Sequence, residues 1–227
     1  KLAAWLDFNK ESMKAILEAT RRPSYYFPLI VSADGGSESI LIAALLPLPQ
    51  ESRSFARALT ARAMLAVQEG RIEDAQADLL ACHRLARLIA KGHTLIEGLV
   101  GVAIESLACR AGEGMLQSGR VSDVQLLKYQ QELAELASLW SAAERINIGE
   151  RFMALDAASY VAKQGVNGAR ALSELSGGSS DALSPPAFGN VFSNVDWNFV
   201  LKTINDEYDR MYSAVSTPRY SERRTAM

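Results

Sequence analysis

The chain has 227 residues, a formal net charge of −2, and 48% hydrophobic against 22% charged residues. That length supports one sizeable core, or at most two small ones, at ordinary globular composition, and the charge balance leaves no basic footprint for nucleic acid. Two cysteines exclude a disulfide-dense scaffold, and no run approaches the ~18 apolar residues of a membrane span. The chain begins at Lys1 rather than Met and reads as trimmed. Export or membrane tethering through an upstream segment is therefore left open, and the compartment is unknown.

Taken in chain order, nearly every segment has helical periodicity. The stretch "NKESMKAILEAT" is amphipathic and stops before "RRPSYYFPLIVSADGGSES", where prolines and glycines break the period. "ILIAALLPLPQ" reads as a short apolar helix ended by Pro47 and Pro49. A long helix is predicted from about Ser52 to Gln68, and a second from Ile72 to Lys91. A third opens at Thr94, where Thr94-Leu-Ile-Glu97 has capping-box spacing, and runs to about Gln117. Ser122-Asp-Val-Gln125 and Ser141-Ala-Ala-Glu144 repeat that spacing. Residues 165–194 form the main irregular segment. Trp197, Leu201, Ile204, Tyr208, Met211 and Val215 then mark the seam of a final helix, and a solvated tail follows from about residue 216. No strand period occurs. The expected fold is all-α, a single domain of about seven or eight helices over residues 1–227.

Gly70 separates two helices with almost no linker, which is an antiparallel helical hairpin. The pattern Gly70-x4-Ala75, with a small residue at Ala63, resembles one tetratricopeptide motif. Leu59 stands where that motif has tryptophan, and Arg62 where it has leucine. No second copy follows at a ~34-residue period. The stretch "RALTARAMLAVQEGRIEDAQADLLACHRLARLIAKGHTLIEGLVGVAIESLA", with "RRPSYYFPLI" and "VDWNFVLKTINDEYDR", resembles a bacterial family of helical proteins without an established activity. The resemblance covers most of the chain. It implies a helical fold with tetratricopeptide-like stacked hairpins, and it transfers no catalytic residue.

Several charges fall on apolar faces. At ~100° per residue, Asp78 lies among Ala75, Cys82, Leu85 and Ile89, while Arg62 lies among Phe55, Leu59 and Ala66. Gly70 is eight residues from each, so folding the hairpin brings Arg62 and Asp78 level. A largely buried salt bridge is expected, because either charge alone would cost several kcal/mol. Reflecting the chain about Gly92 puts Glu105 near Leu79, one turn from Asp78 and His83, and Glu144 and Arg151 share an inward side further on. One polar network of Arg62, Asp78, Glu105, Glu144 and Arg151 is the resulting expectation. The structural reading makes it a device that fixes helix register.

The chemical reading makes Asp78 and Glu105 an acid–base pair, with His83 as a further candidate base and Arg62 or Arg151 binding an anion. His83 itself reads as a boundary residue at the edge of the apolar face. His93-x3-Glu97 has half the spacing of a metal site, but Glu97 already has a capping role, and no Glu-x-x-His motif occurs. No metal and no cofactor are expected, and the search for nucleophile elbows and phosphate loops is negative. Cys82 and Cys109 are expected as free buried thiols. "PSYYFP" places Tyr25, Tyr26 and Phe27 between prolines, either as a linker pinned to the core or as an aromatic platform for a partner. The resulting functional expectation is a non-catalytic interaction or scaffold module for a protein or peptide. The alternative is an enzyme or small-ligand binder with a pocket around Asp78, Glu105 and Arg151.

Overall fold

A computed structural model describes residues 1–29, 40–43, 47–139, 141–175 and 192–217, and every regular element among them is helical. The chain divides into two compact units, Lys1–Phe27 with Leu46–Trp140, and Pro28–Leu45 with Ser141–Met227. Most of the irregular segment beyond residue 175, most of the glycine-rich loop after Leu29, and the tail from residue 218 lie outside the described residues.

The first unit holds α1 (Leu2–Phe8), α2 (Lys10–Ala19), α3 (Pro47–Gln68), α4 (Ile72–Ile89), α5 (Leu95–Gln117) and α6 (Asp123–Ala134). The second holds a 3₁₀ turn at Leu41–Ala43, α7 (Ala142–Arg145), a π turn (Ile146–Glu150), α8 (Arg151–Gln164), α9 (Val166–Leu175), a 3₁₀ turn at Phe192–Asn194 and α10 (Trp197–Ser216). This is more helices than the seven or eight expected. One reason is α9, which occupies the start of the segment read as irregular. Its Gly168 is a contact glycine, since a Cβ there would stand 3.1 Å from the Val161 backbone of α8.

Pro47 and Pro49 open α3 rather than ending a preceding helix. In the first turn the missing N–H has no intrahelical partner to lose, so proline starts a helix as readily as it stops one. The α3–α4 turn is a Schellman motif. Gly70 takes φ +78°, its N–H donates to the Val67 carbonyl, and the Arg71 N–H donates to that of Ala66. The Arg120 guanidinium donates to the carbonyls of Val67 and Gln68, so the α5–α6 turn caps the end of α3.

α3, α4 and α5 pack on one another around two clusters. Leu59, Cys82, Leu85, Ile89, Val100 and Ile104 carry one, and Ala63, Val67, Ile72, Leu79, Met115 and Tyr129 the other. The α4–α5 contact depends on Gly101, where an added Cβ would stand 2.7 Å from both the Ala86 carbonyl oxygen and the Ala90 Cβ. Backbone cannot rotate away as a side-chain tip can. Gly101→Ala is therefore expected to force the helices apart and lower stability by about 2 kcal/mol, measured by urea unfolding. An unchanged midpoint would contradict the close approach.

In the second unit, α10 packs on α7, the π turn and α8, while α8 also meets α9 and the Leu41–Ala43 turn. The Asp156 carboxylate accepts from the Leu41 N–H at 2.8 Å and pins that turn. Asp196 caps α10 by accepting from the Phe199 N–H. The seam expected on α10 is partly buried at Trp197, Leu201, Ile204, Tyr208 and Val215, whereas Met211 is exposed.

Candidate functional site

The hairpin symmetry about Gly70 brings Arg62 and Asp78 together. Nε of Arg62 donates to Asp78 Oδ2 at 2.7 Å and Nη2 donates to Oδ1 at 2.5 Å, a bidentate pair. The two partners differ in exposure, 6% for the Asp78 side chain and 25% for Arg62. Burial pushes the Asp78 carboxyl above its ordinary range, and the guanidinium offsets only part of that. Arg62 reaches an open cleft of about 320 Å³, which Leu17, Arg71, Asp74, Ala77 and Asp78 also line.

The single five-charge network does not form. Glu105 has its own partners, with His83 Nδ1 at 2.9 Å from Oε2 and Arg87 Nη1 donating to the same oxygen at 2.8 Å. Glu105 is thus the close polar partner of the buried His83 nitrogen. Burial acts to raise the Glu105 carboxyl, but His83 and Arg87 outweigh it and hold the group below the usual carboxylate value. Asp78 responds to Arg62, Asp74 and Arg71 instead. Arg151 and Glu144 belong to the second unit. There Arg151 donates to Asn205 at 3.0 Å and to Asp209 at 2.6 Å, while Glu144 accepts from Arg145. An acid–base pair of Asp78 and Glu105 is not assembled, because each carboxylate is committed to different cations.

Three further expectations change. His83 is buried rather than at a boundary, since it lies under α5 and not at the rim of α4. Cys109 is exposed, and only Cys82 is a buried thiol, pushed up to about 12 by burial first and then by Glu105 and Asp78. Ser141 caps α7 without a side-chain hydrogen bond, unlike Thr94 and Ser122, which both complete capping boxes. The half-site of His93 and Glu97 does not form either. His93 is exposed, while Glu97 accepts from the Thr94 N–H, the Thr94 hydroxyl and the Tyr25 hydroxyl at 3.0, 2.9 and 2.9 Å.

The aromatic segment divides between its two readings. Tyr25 is pinned onto Glu97, Phe27 is partly buried, and Tyr26 is 80% exposed. Tyr25 and Tyr26 border an apolar cleft of about 270 Å³ with Ile16, Phe55, Leu85 and Leu88. Beside it lies a cavity of about 420 Å³, lined by Arg21, Arg22, Arg84, Arg87 and Lys91. The two share Arg22 and Leu88.

Among the described residues, neither Arg21, Arg22 nor Arg84 has an ion-pair partner. Arg87 is held by Glu105 and by the Ala137 and His83 carbonyls, and Lys91 by the Pro23 carbonyl. These five cations were not singled out in the sequence. Each looks like part of a solvated helix face until the end of α2 is placed against α4.

No helix among the described residues is long and apolar enough to cross a membrane. Comparison with protein-family models, with curated proteins and with solved structures gives no match to this chain.

Proposed function

We propose that the first unit is a non-catalytic binding module for an acidic peptide segment with an adjacent apolar anchor. The carrying observation is the cavity of five cationic side chains that opens onto an apolar, tyrosine-bordered cleft. Arg21, Arg22 and Arg84 stand together without ion-pair partners among the described residues, and the binding of carboxylates relieves their mutual repulsion. The adjoining cleft favours a Leu or Phe side chain, which argues for a peptide over a free inorganic anion. In this reading α3–α4 and α5–α6 are antiparallel hairpins stacked in tetratricopeptide-like fashion, with α2 and residues 21–27 forming one wall of the groove.

The test uses a fluorescein-labelled peptide with a run of glutamates beside a Phe-Leu pair, followed by anisotropy. Binding should weaken with added salt, fail with the glutamine counterpart, and fall by roughly 10–100-fold in Arg84→Glu. Equal binding of the glutamate and glutamine peptides would overturn the reading. A second reading places a small ligand in the cleft at Arg62 and Asp78, supported by its open access to a buried carboxylate.

A further inference from the structure

His83, Glu105 and Cys109 bring three different ligand types to one point. His83 stands on α4, and Glu105 and Cys109 stand one turn apart on α5, so their side chains share a face. The imidazole nitrogen, a carboxylate oxygen and the thiol sulfur all lie within 4.8 Å of one another. Tetrahedral bonds of about 2.0–2.3 Å hold ligand atoms roughly 3.3–3.7 Å apart, so side-chain adjustments of about 1 Å or less close the set.

Two observations bear on this cluster. The His83 side chain is only 5% exposed and turns Nδ1 to Glu105 Oε2 at 2.9 Å. The Tyr129 hydroxyl is buried without a partner, and it lies against Gly112, one turn along α5 from Cys109. Buried polar atoms are nearly always satisfied, and this orphaned hydroxyl needs a cause.

The geometry points to a zinc-type divalent metal site formed by His83, Glu105 and Cys109, with the fourth position open to solvent beside the exposed Cys109. Imidazole, carboxylate and thiolate together form a borderline donor set, which suits zinc rather than calcium or magnesium. Binding forms an S–Zn bond and releases the thiol proton to solvent, with no electron transfer, because zinc is not redox active. Bare, the Cys109 thiolate is disfavoured by partial burial and by the Glu105 and Glu113 carboxylates. A dication reverses that balance. Arg87 gives up its bond to Glu105 and keeps those to the carbonyls of Ala137 and His83. This inference does not depend on the peptide reading.

The test is titration of the full chain with zinc chloride against a chromophoric chelator, with cobalt(II) as the spectroscopic probe. One equivalent is expected to bind, and the cobalt form should show a thiolate-to-metal charge-transfer band. Cys109→Ser alters an exposed position and should fold as the parent does by circular dichroism. It should lose the band and bind zinc at least about 100-fold more weakly, more than a lost outer-shell partner costs. Glu105→Gln should weaken zinc yet keep the band, whereas His93→Ala should change neither. Absence of stoichiometric binding, a cobalt spectrum without the thiolate band, or zinc affinity unaltered in Cys109→Ser would each overturn the site.

Discussion

Glu97→Ala is expected to destabilise the chain by about 4 kcal/mol in urea unfolding, the largest single effect among the polar residues. The carboxylate is only 2% exposed, and it accepts from three donors at once, two on Thr94 and one on Tyr25. Its removal undoes the α5 capping box, worth about 1 kcal/mol, and strands the Thr94 N–H and Tyr25 hydroxyl at about 1–3 kcal/mol each. The carboxylate also fills the space beside Gly92, where an added Cβ would clash with all three carboxyl atoms.

Tyr25→Phe removes one donor and leaves the cap intact, so it should cost only about 1 kcal/mol. The double variant should lose less than the sum, because the two groups share one bond. Glu97→Ala should also free Tyr25 and loosen the lip of the apolar cleft. A loss below about 1 kcal/mol would mean that water reaches the carboxylate.

What could be read from the sequence follows the range of each interaction. The boxes at Thr94 and Ser122 depend on four consecutive residues and were legible from spacing. Ser141 has the same spacing and fails. Its ψ is 116°, against 154° at Thr94 and 159° at Ser122, so its hydroxyl is aimed differently, and spacing carries no dihedral angle.

The Arg62–Asp78 pair was legible because a tight glycine turn makes the hairpin symmetric, and counting outward from Gly70 finds the partners. The same reflection about Gly92 set Glu105 near Leu79, one turn from both Asp78 and His83, and only the second of these is its partner. It missed the exposure of Cys109, which lies off the face of α5 that Ala108, Gly112 and Met115 bury. Prolines gave the opposite error. Pro47 carries the same signal whether it ends one helix or begins the next, and only the packing of α3 decides.

The basic cavity was the least legible feature. It needs the end of α2, residues 21–22, set against Arg84, Arg87 and Lys91 on α4 and its exit turn. More than sixty residues separate the two walls, and no periodicity encodes that closure. The convergence of His83 with Cys109 is hidden for a related reason. Cys109 lies at the edge of its helical stripe, where a small rotation decides whether it faces a neighbour or water.

Arg62→Met is expected to cost about 3 kcal/mol at neutral pH, whereas Asp78→Asn should cost about 1 kcal/mol or less. The pair looks symmetric in its hydrogen bonds, but the exposures differ, at 25% for the guanidinium and 6% for the carboxylate. Removing Arg62 strands an enclosed charge, which carries the heavier penalty of a broken buried pair. Neutralising Asp78 instead leaves a guanidinium that can still draw on water through its open cleft.

Linkage makes the difference measurable. Burial already holds the folded-state value of Asp78 above the ordinary 3.8, and loss of Arg62 removes the main opposing influence. A carboxyl with a raised folded value contributes stability below its unfolded value and loses it as pH rises through the folded one. The deficit of Arg62→Met relative to the parent should therefore be largest near neutrality and shrink as pH falls toward 3.8. Urea unfolding of both variants from neutral to acidic pH checks this. A deficit that stays constant or grows on acidification would show that Arg62 acts through packing of its stem rather than through the charge of Asp78.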